Sequence, residues 1–406
     1  MNAIRWILTL VLMMSLVQLT LPGQLNADEE EATVMEASLH YTFETSLEMR
    51  TLPDPLPRFT YDSGLNFEYP DAVRGIYVTG HSAGGSRFDG LIELVNDTPL
   101  NSMVIDVKDD HGNITYKLDE DSPHYDYSNN FIKDPREMLE QLEEEEIYPI
   151  ARVVVFKDTN LAMDNPDWSF KEDGDVWING RGEAFVNPFV QEVWEYNLEI
   201  AKHAAELGFK EIQFDYVRFP EGFETRDEIL DYRRGDYEDA SLDNIKERVR
   251  AVNEFVEYAY EELQPYDVDV SVDIFGYTAT IEEAPGIGQN FLGISENVDV
   301  ISSMIYPSHW TPYFGISEPD REPYNLVNEY AQVENELLGQ LDEAPTSRPW
   351  IQDFTAAWLY PPGQSFTYGI DEVEAQIRAL YDNGIYEYLL WDPNNNYTRG
   401  VDFDPR

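Results

Sequence analysis

The sequence predicts an α/β fold, a (β/α)8 barrel of the TIM type preceded by a signal peptide and an N-terminal extension. Three observations lead there. From Arg74 onward, short β-rich runs alternate with longer amphipathic stretches, the pattern of parallel βαβ units. The runs number eight. Eight such units in roughly 330 residues fit one closed barrel with some long loops. A doubly wound open sheet is the alternative, and it calls for a glycine-rich phosphate loop after the first strand. Gly80-His81-Ser82-Ala83-Gly84-Gly85 is glycine-rich but has neither the GxGxxG spacing nor a Walker lysine, so it reads as the loop after the first strand.

The strands are expected at Gly75–Thr79, Ser102–Lys108, Tyr148–Phe156, Glu211–Val217, Asp269–Phe275, Val298–Tyr306, Pro349–Phe354 and Tyr386–Trp391. Helical periodicity falls between them, at Arg136–Glu146, Pro188–Leu207, Leu242–Leu263, Pro323–Leu341 and Glu372–Asn383. Asp134-Pro135 supplies an N-cap and an N1 proline, and Asn187-Pro188 is expected to do the same for the next helix. Gly208 and Gly384 stand where a C-terminal glycine stop belongs.

Residues 1–27 read as a signal peptide. Arg5 precedes an apolar run from Trp6 to about Leu19, and Leu25-Asn26-Ala27 offers a small-residue cleavage site before Asp28. A membrane anchor is the competing account, but the run is shorter than the ~20 residues a span needs. Residues 28–70 are acidic and then proline-punctuated, an extension or linker; residues 71–406 form the barrel. The expected location is therefore secreted or at the cell surface.

The 406 residues carry 79 Asp+Glu against 27 Lys+Arg, a net charge of -52. That excludes a nucleic-acid binder working by phosphate neutralisation and argues against anionic lipid or polyanionic substrates. With 42% hydrophobic and 13% aromatic residues, the chain can still bury a large core. It has no cysteine, which excludes disulfides, thiolate metal sites, a cysteine nucleophile and a lipoprotein anchor.

Active sites of such barrels lie at the C-terminal ends of the strands. Strand side chains alternate, and the outer set must be apolar to pack on helices. In Ile212-Gln213-Phe214-Asp215-Tyr216 this leaves Gln213 and Asp215 facing inward. In Val268-Asp269-Val270-Ser271-Val272-Asp273 it leaves Asp273 inward at the top of the next strand. In Met103-Val104-Ile105-Asp106-Val107-Lys108, Asp106 and Lys108 share the inner face. Asp353 ends the seventh strand and Asp392 the eighth. The competing account is that these aspartates cap helices or pair with Arg218, Arg152 or Lys108.

Paired carboxylates at a barrel mouth suit glycosidic-bond cleavage. One attacks or stabilises the anomeric carbon while the other, kept protonated by its surroundings, donates to the leaving oxygen. Crowding raises the pKa of at least one of them. Sugar faces stack on aromatic rings, and Tyr77, Tyr216, Tyr277, Tyr306, Trp310, Trp358 and Trp391 lie near strand tops. His309 and Trp310 are placed to contact hydroxyls.

The blocks Arg74-Gly75-Ile76-Tyr77-Val78-Thr79, Val104-Ile105-Asp106-Val107-Lys108-Asp109, Phe214-Asp215-Tyr216-Val217-Arg218-Phe219-Pro220, Asp273-Ile274-Phe275-Gly276, Met304-Ile305-Tyr306-Pro307-Ser308-His309 and Leu390-Trp391-Asp392-Pro393 resemble a known family. It is the glycoside hydrolase family once labelled domain of unknown function 4015, and the resemblance runs over about residues 71–405. The resemblance implies a barrel distantly similar to α-amylase-like and α-galactosidase-like hydrolases. It implies Asp215 as nucleophile, although Gln213 stands where the amylase-like group has an Arg. It places Asp273 where that group has a Glu acid/base, and Asp353 as the counterpart of a third Asp.

The expected function is hydrolysis of an extracellular or cell-wall polysaccharide. Asp215, Asp273 and Asp353 form the catalytic set. Tyr77, Asp106, Lys108, Tyr216, Arg218, Tyr306, His309, Trp310, Trp391 and Asp392 contact the sugar. No cofactor or metal is expected. A non-catalytic carbohydrate-binding barrel is the alternative. A metal-dependent hydrolase or deacetylase comes third: the histidines (His40, His81, His111, His124, His203 and His309) show no HxH or HExxH spacing, and only a hard-cation site of carboxylates stays open.

So large a negative charge repels itself unless salt screens it, which predicts a protein suited to high salt. Raising NaCl from about 0.1 M to about 1 M shortens the screening length from about 10 Å to about 3 Å. The thermal unfolding midpoint should rise steadily across that series; a flat profile would mark an ordinary acidic protein.

Overall fold

The chain is described here by a computed structural model covering residues 60–238 and 242–406. The signal-peptide expectation and most of the extension fall outside the described residues.

Eight strands run parallel: β1 (Arg74–Val78), β2 (Ser102–Lys108), β3 (Tyr148–Val154), β4 (Glu211–Asp215), β5 (Asp269–Phe275), β6 (Val300–Met304), β7 (Trp350–Gln352) and β8 (Tyr388–Trp391). Each pairs with the next, and β8 pairs with β1 through Arg74↔Tyr388, Gly75↔Leu389 and Ile76↔Leu390, so the ring closes. A short segment, Thr346–Ser347, also pairs with β6 just ahead of β7. The expected strands are all present, trimmed by a few residues where the chain turns into a loop.

Helices stand between successive strands: α1 (Phe88–Asn96), α2 (Pro135–Glu144), α3 (Gln191–Leu207), α4 (Asn244–Leu263), α5 (Phe291–Ser295), α6 (Pro323–Leu338) and α7 (Ile370–Asp382). Asp134 caps α2 as expected, its side chain accepting from Arg136 N–H and Glu137 N–H, with Pro135 at N1. Gly208 ends α3 at φ 120° and Gly384 follows α7 at φ 77°, a backbone region glycine adopts without strain. The Asn187-Pro188 start is corrected. Helix α3 begins at Gln191, and Asn187 instead accepts from Phe189 N–H and donates to the Arg233 carbonyl. The glycine-rich stretch is also corrected: Gly80–Ala83 is a short helix capped by Thr79. A Cβ on Gly84 would stand 1.8 Å from the Phe131 carbonyl oxygen, so packing rather than phosphate explains that glycine.

Strand parity builds two cores. Outward residues such as Met103, Ile105, Ile212, Phe214, Val270 and Val272 join the helices in one large apolar layer. Inward residues Tyr77, Val104, Tyr148, Ile150, Tyr306, Trp350 and Leu389 form a smaller cluster within the ring.

The N-terminal end of the ring is plugged by charge. Arg348 is fully buried and donates to Glu211 at 2.7 and 2.8 Å, to Glu387 at 2.8 Å and to the Tyr69 hydroxyl at 2.7 Å. Ser271 adds a 2.6 Å hydrogen bond to Glu211. Tyr69 comes from the tail of the extension, which also docks through Tyr61 N–H on the Pro265 carbonyl at 2.8 Å. Breaking a buried ion pair by removing one partner leaves an uncompensated charge. Arg348→Met should therefore cost about 3–5 kcal/mol in denaturant unfolding. A loss under about 1 kcal/mol would show that water reaches Glu211 and Glu387.

Candidate active site

At the opposite end, four consecutive strands aim charged side chains inward. Arg152 of β3 is paired in register with Asp106 of β2 and with Gln213 of β4. Its guanidinium donates to Asp215 Oδ2 through Nε at 2.9 Å and Nη2 at 2.5 Å, to Asp106 Oδ1 at 2.7 Å and to Asp110 Oδ1 at 2.9 Å. One cation thus holds three carboxylates. Its flat group also lies 5.4 Å from the Tyr77 ring and 5.5 Å from the Trp391 ring.

Burial raises the Asp106 carboxyl to about 6, against the lowering pull of Arg152 and a 2.6 Å hydrogen bond from Tyr77. Asp110 is also pushed up by burial, but Arg152 and Lys157 overcome that and hold it at about 2. Lys157 bridges Asp110 at 3.1 Å and Glu183 at 2.8 Å. Burial again works against ionisation of Glu183, and hydrogen bonds from Asn179 and Lys157 outweigh it to bring the group to about 2.

Asp273 has the opposite environment. It is 2% exposed and, among the described residues, has no cationic partner within hydrogen-bonding distance; Trp350 Nε1 donates to its Oδ1 at 2.8 Å. Burial first, and then the charge of Asp215, lift its carboxyl well above the usual carboxylate range. Asp215 and Asp273 lie one step beyond the paired residues Phe214↔Val272 of β4 and β5. Neighbouring strands are about 4.7–4.9 Å apart, so the two carboxyls are held side by side.

Tyr216, directly after β4, has φ 52°, a strained backbone for a bulky residue. Its N–H donates to Asp215 Oδ1 at 2.6 Å and its carbonyl accepts from Arg218 N–H at 2.9 Å. Both Asp215 oxygens are thus fixed, one by arginine and one by this turn.

These residues open onto a cavity of about 800 Å³. Asp110, Arg152, Asp215 and Asp273 form part of its lining, together with Trp350, Trp391, Tyr216 and Tyr306. Arg181, Glu183, Arg218 and Glu221 line one side, and Phe275, Tyr277, His309, Trp310 and Tyr313 another. Arg218 is clamped 4.7 Å from the Tyr216 ring and 4.6 Å from the Phe275 ring. Burial lowers the His309 pKa, so its imidazole is neutral at pH 7, with Nδ1 3.1 Å from Ser308 Oγ.

Of the residues expected from sequence, Asp215, Asp273, Tyr216, Arg218, Tyr306, His309, Trp310 and Trp391 share this cavity. Tyr77 and Asp106 lie buried beside Arg152, bonded to each other. Three other expected residues lie away from the cavity lining. A bulge between Asp106 and Lys108 breaks the alternation of β2, so Lys108 turns to the helix side. There its ammonium meets Asp158 at 2.6 Å and Asn197 of α3 at 3.0 Å. Asp353 follows the end of β7 and accepts from Thr398 N–H at 2.9 Å and Oγ1 at 2.6 Å. Asp392 accepts from Asn394 N–H at 2.6 Å in the turn after β8. None of the three lines the cavity.

Arg152 entered the sequence reading only as a rival ion-pair partner, and Asp110, Lys157, Arg181, Glu183 and Glu221 did not enter it. A signal for Arg152 existed: it is a lone cation inside the apolar run Ile150-Ala151-Arg152-Val153-Val154, at inward parity. The loop residues had no such periodic signal. Among the described residues, no cluster of three or more histidines and acids could hold a metal ion.

The family described as "Putative glycosyl hydrolase domain" matches residues 75–397, and the chain belongs to it. It is therefore a glycoside hydrolase by family, on a closed TIM-type barrel. Among solved structures, it is similar to the PgaB (BpsB) glycoside hydrolase domain from Bordetella bronchiseptica, at 14% identity over 82% of this chain and 95% of that one, TM-score 0.56. It is also similar to a β-galactosidase from the psychrophilic Marinomonas ef1, at 14% identity over 79% of this chain and 54% of that one, TM-score 0.51. A hypothetical protein from Ruminiclostridium thermocellum is 30% identical over 49% of this chain and 96% of its own, TM-score 0.42. No curated protein matches the sequence.

Because the charge of Asp215 helps keep the Asp273 proton on, Asp215→Asn should move the Asp273 titration to lower pH. Loss of the anion and release of Arg152 act in the same direction. Carboxyl carbon NMR of the two proteins checks this; an unmoved curve would mean that burial alone sets the Asp273 proton.

Proposed function

We propose that the protein cleaves glycosidic bonds of a polysaccharide, with Asp215 as nucleophile and Asp273 as general acid and base. One observation carries the reading: two carboxyls on adjoining strands open onto one cavity, one locked to an arginine and the other buried, which raises its pKa. Environments that push two carboxyls apart in pKa divide the labour of acid and nucleophile.

In the first step the Asp273 proton passes to the glycosidic oxygen as the bond to the anomeric carbon breaks, and Asp215 bonds to that carbon. In the second step Asp273, now ionised, takes a proton from water, whose oxygen displaces Asp215 from the sugar. Adjacent-strand spacing favours this two-step route, which needs carboxyls ≈ 5–5.5 Å apart, over the wider separation of single displacement. Arg152 positions Asp215, while Asp106 and Asp110 fix Arg152.

We further propose that the enzyme is secreted and works in high salt. The charge and the apolar N-terminal run support this, and among the described residues no helix is long and apolar enough to cross a membrane.

A panel of polysaccharides and aryl glycosides assayed in high salt tests the proposal. Asp273→Asn should lower kcat by about 10²–10⁴-fold on substrates with poor leaving groups and far less on activated aryl glycosides. In the wild type, kcat/KM should fall at alkaline pH as Asp273 loses its proton, and that limb should vanish in Asp273→Asn. Turnover by Asp215→Asn equal to wild type would remove Asp215 from the mechanism. Sugar binding that survives this change, with turnover never seen in wild type, would mark a binding barrel instead.

A further inference from the structure

We infer that the cavity continues past its rim onto a sugar-stacking platform formed by Trp358, so that the enzyme grips a chain of sugar units rather than a single terminal one. The inference rests on the glycosidase reading and extends it to the substrate class, a neutral polysaccharide.

Trp358 lies in the short turn Ala357–Leu359 that follows β7, and it is not part of the cavity lining. It is 65% exposed, and Leu359 beside it is 45% exposed. Single exposed apolar residues are ordinary. This one differs because its ring is held and because it continues a series. One face stacks on Phe354, with centroids 5.8 Å apart and planes at 24°. The His309 ring meets it edge-on at 6.1 Å. Both neighbours lead back inward: His309 is 5.3 Å and Phe354 6.1 Å from Tyr306, which is 6.3 Å from Trp391 beside Arg152. An unbroken run of rings thus reaches from the carboxylates to solvent.

The rest of the mouth is divided in the same sense. Apart from Asp273 of β5, the charged lining side chains come from the strands and loops of β2 to β4, and the rim aromatics Tyr277, Tyr313 and Trp358 follow β5, β6 and β7 in turn. A pyranose has a flat C–H face and a rim of hydroxyls. The aromatic arc suits the faces of successive units, and the charged arc suits the hydroxyls of the unit being cleaved. Trp358 stacks on Phe354 and is still 65% exposed, so a partly open ring is offered to a sugar face at little ordering cost because it is already held. Its place outside the cavity puts it in reach of a sugar unit beyond those the 800 Å³ space encloses.

The test is depletion of full-length Asp215→Asn protein from solution by insoluble cellulose, chitin, curdlan, xylan and mannan, in about 1 M NaCl so that surface charge is screened. At least one polymer should remove it. Adding Trp358→Ala should weaken that binding by about 3–10-fold, the value of one aromatic stacking contact, and Trp358→Phe should restore most of it. Equal depletion of the Trp358→Ala protein, or no depletion by any polymer, would overturn the inference. The hydrolase reading fails separately, through absence of turnover by wild type on every substrate of the assay panel.

Discussion

Arg152 and its three carboxylates set what the mouth of this barrel can do. A guanidinium in a buried site stays charged and holds acids through strong bidentate or shared hydrogen bonds. Asp215 is therefore fixed in place. On the neighbouring strand, burial and then the charge of Asp215 raise the Asp273 carboxyl. Two chemically identical side chains, placed one strand apart, meet different surroundings: Asp215 bonds to the arginine, and the buried Asp273 accepts from the Trp350 indole. The aromatic walls depend on the same residue, since Tyr77 and Trp391 stack on each other at 4.1 Å and flank the guanidinium.

Basic residues are scarce in this chain, and several of them are buried where acids converge. Arg348 closes the lower end of the ring, Arg152 organises the upper end, and Lys108 neutralises Asp158 behind β2. A buried ion pair adds little net stability over an apolar replacement. Register and site geometry belong to these few buried cations.

The loops divide the mouth by chemistry. After β2, β3 and β4 they supply Asp110, Lys157, Arg181, Glu183, Arg218 and Glu221, linked in pairs. After β5, β6 and β7 they supply rings. The strained turn at Tyr216 stands where the two halves meet, and it aims both the Asp215 carboxyl and the Tyr216 ring into the cavity. Strain of this kind persists only where the surroundings over-determine the backbone; here the Asp215 and Arg218 hydrogen bonds do so.

The sequence by itself determined the strands, their inward faces and the two aspartates at the top of β4 and β5. These are local properties: a strand between a helix layer and a ring interior must alternate, and its apolar set shows which way it faces. That rule fails where the chain leaves regular strand geometry. A bulge turned Lys108 to the outside, and the ends of β7 and β8 freed Asp353 and Asp392 to bond within the C-terminal segment. Only the tertiary structure decided that Arg152 would bind Asp106, Asp110 and Asp215 together, and that the loop charges would gather on one side of the mouth. The reason is physical: those contacts join strands and loops distant along the chain, and closure of the ring brings them within hydrogen-bonding distance.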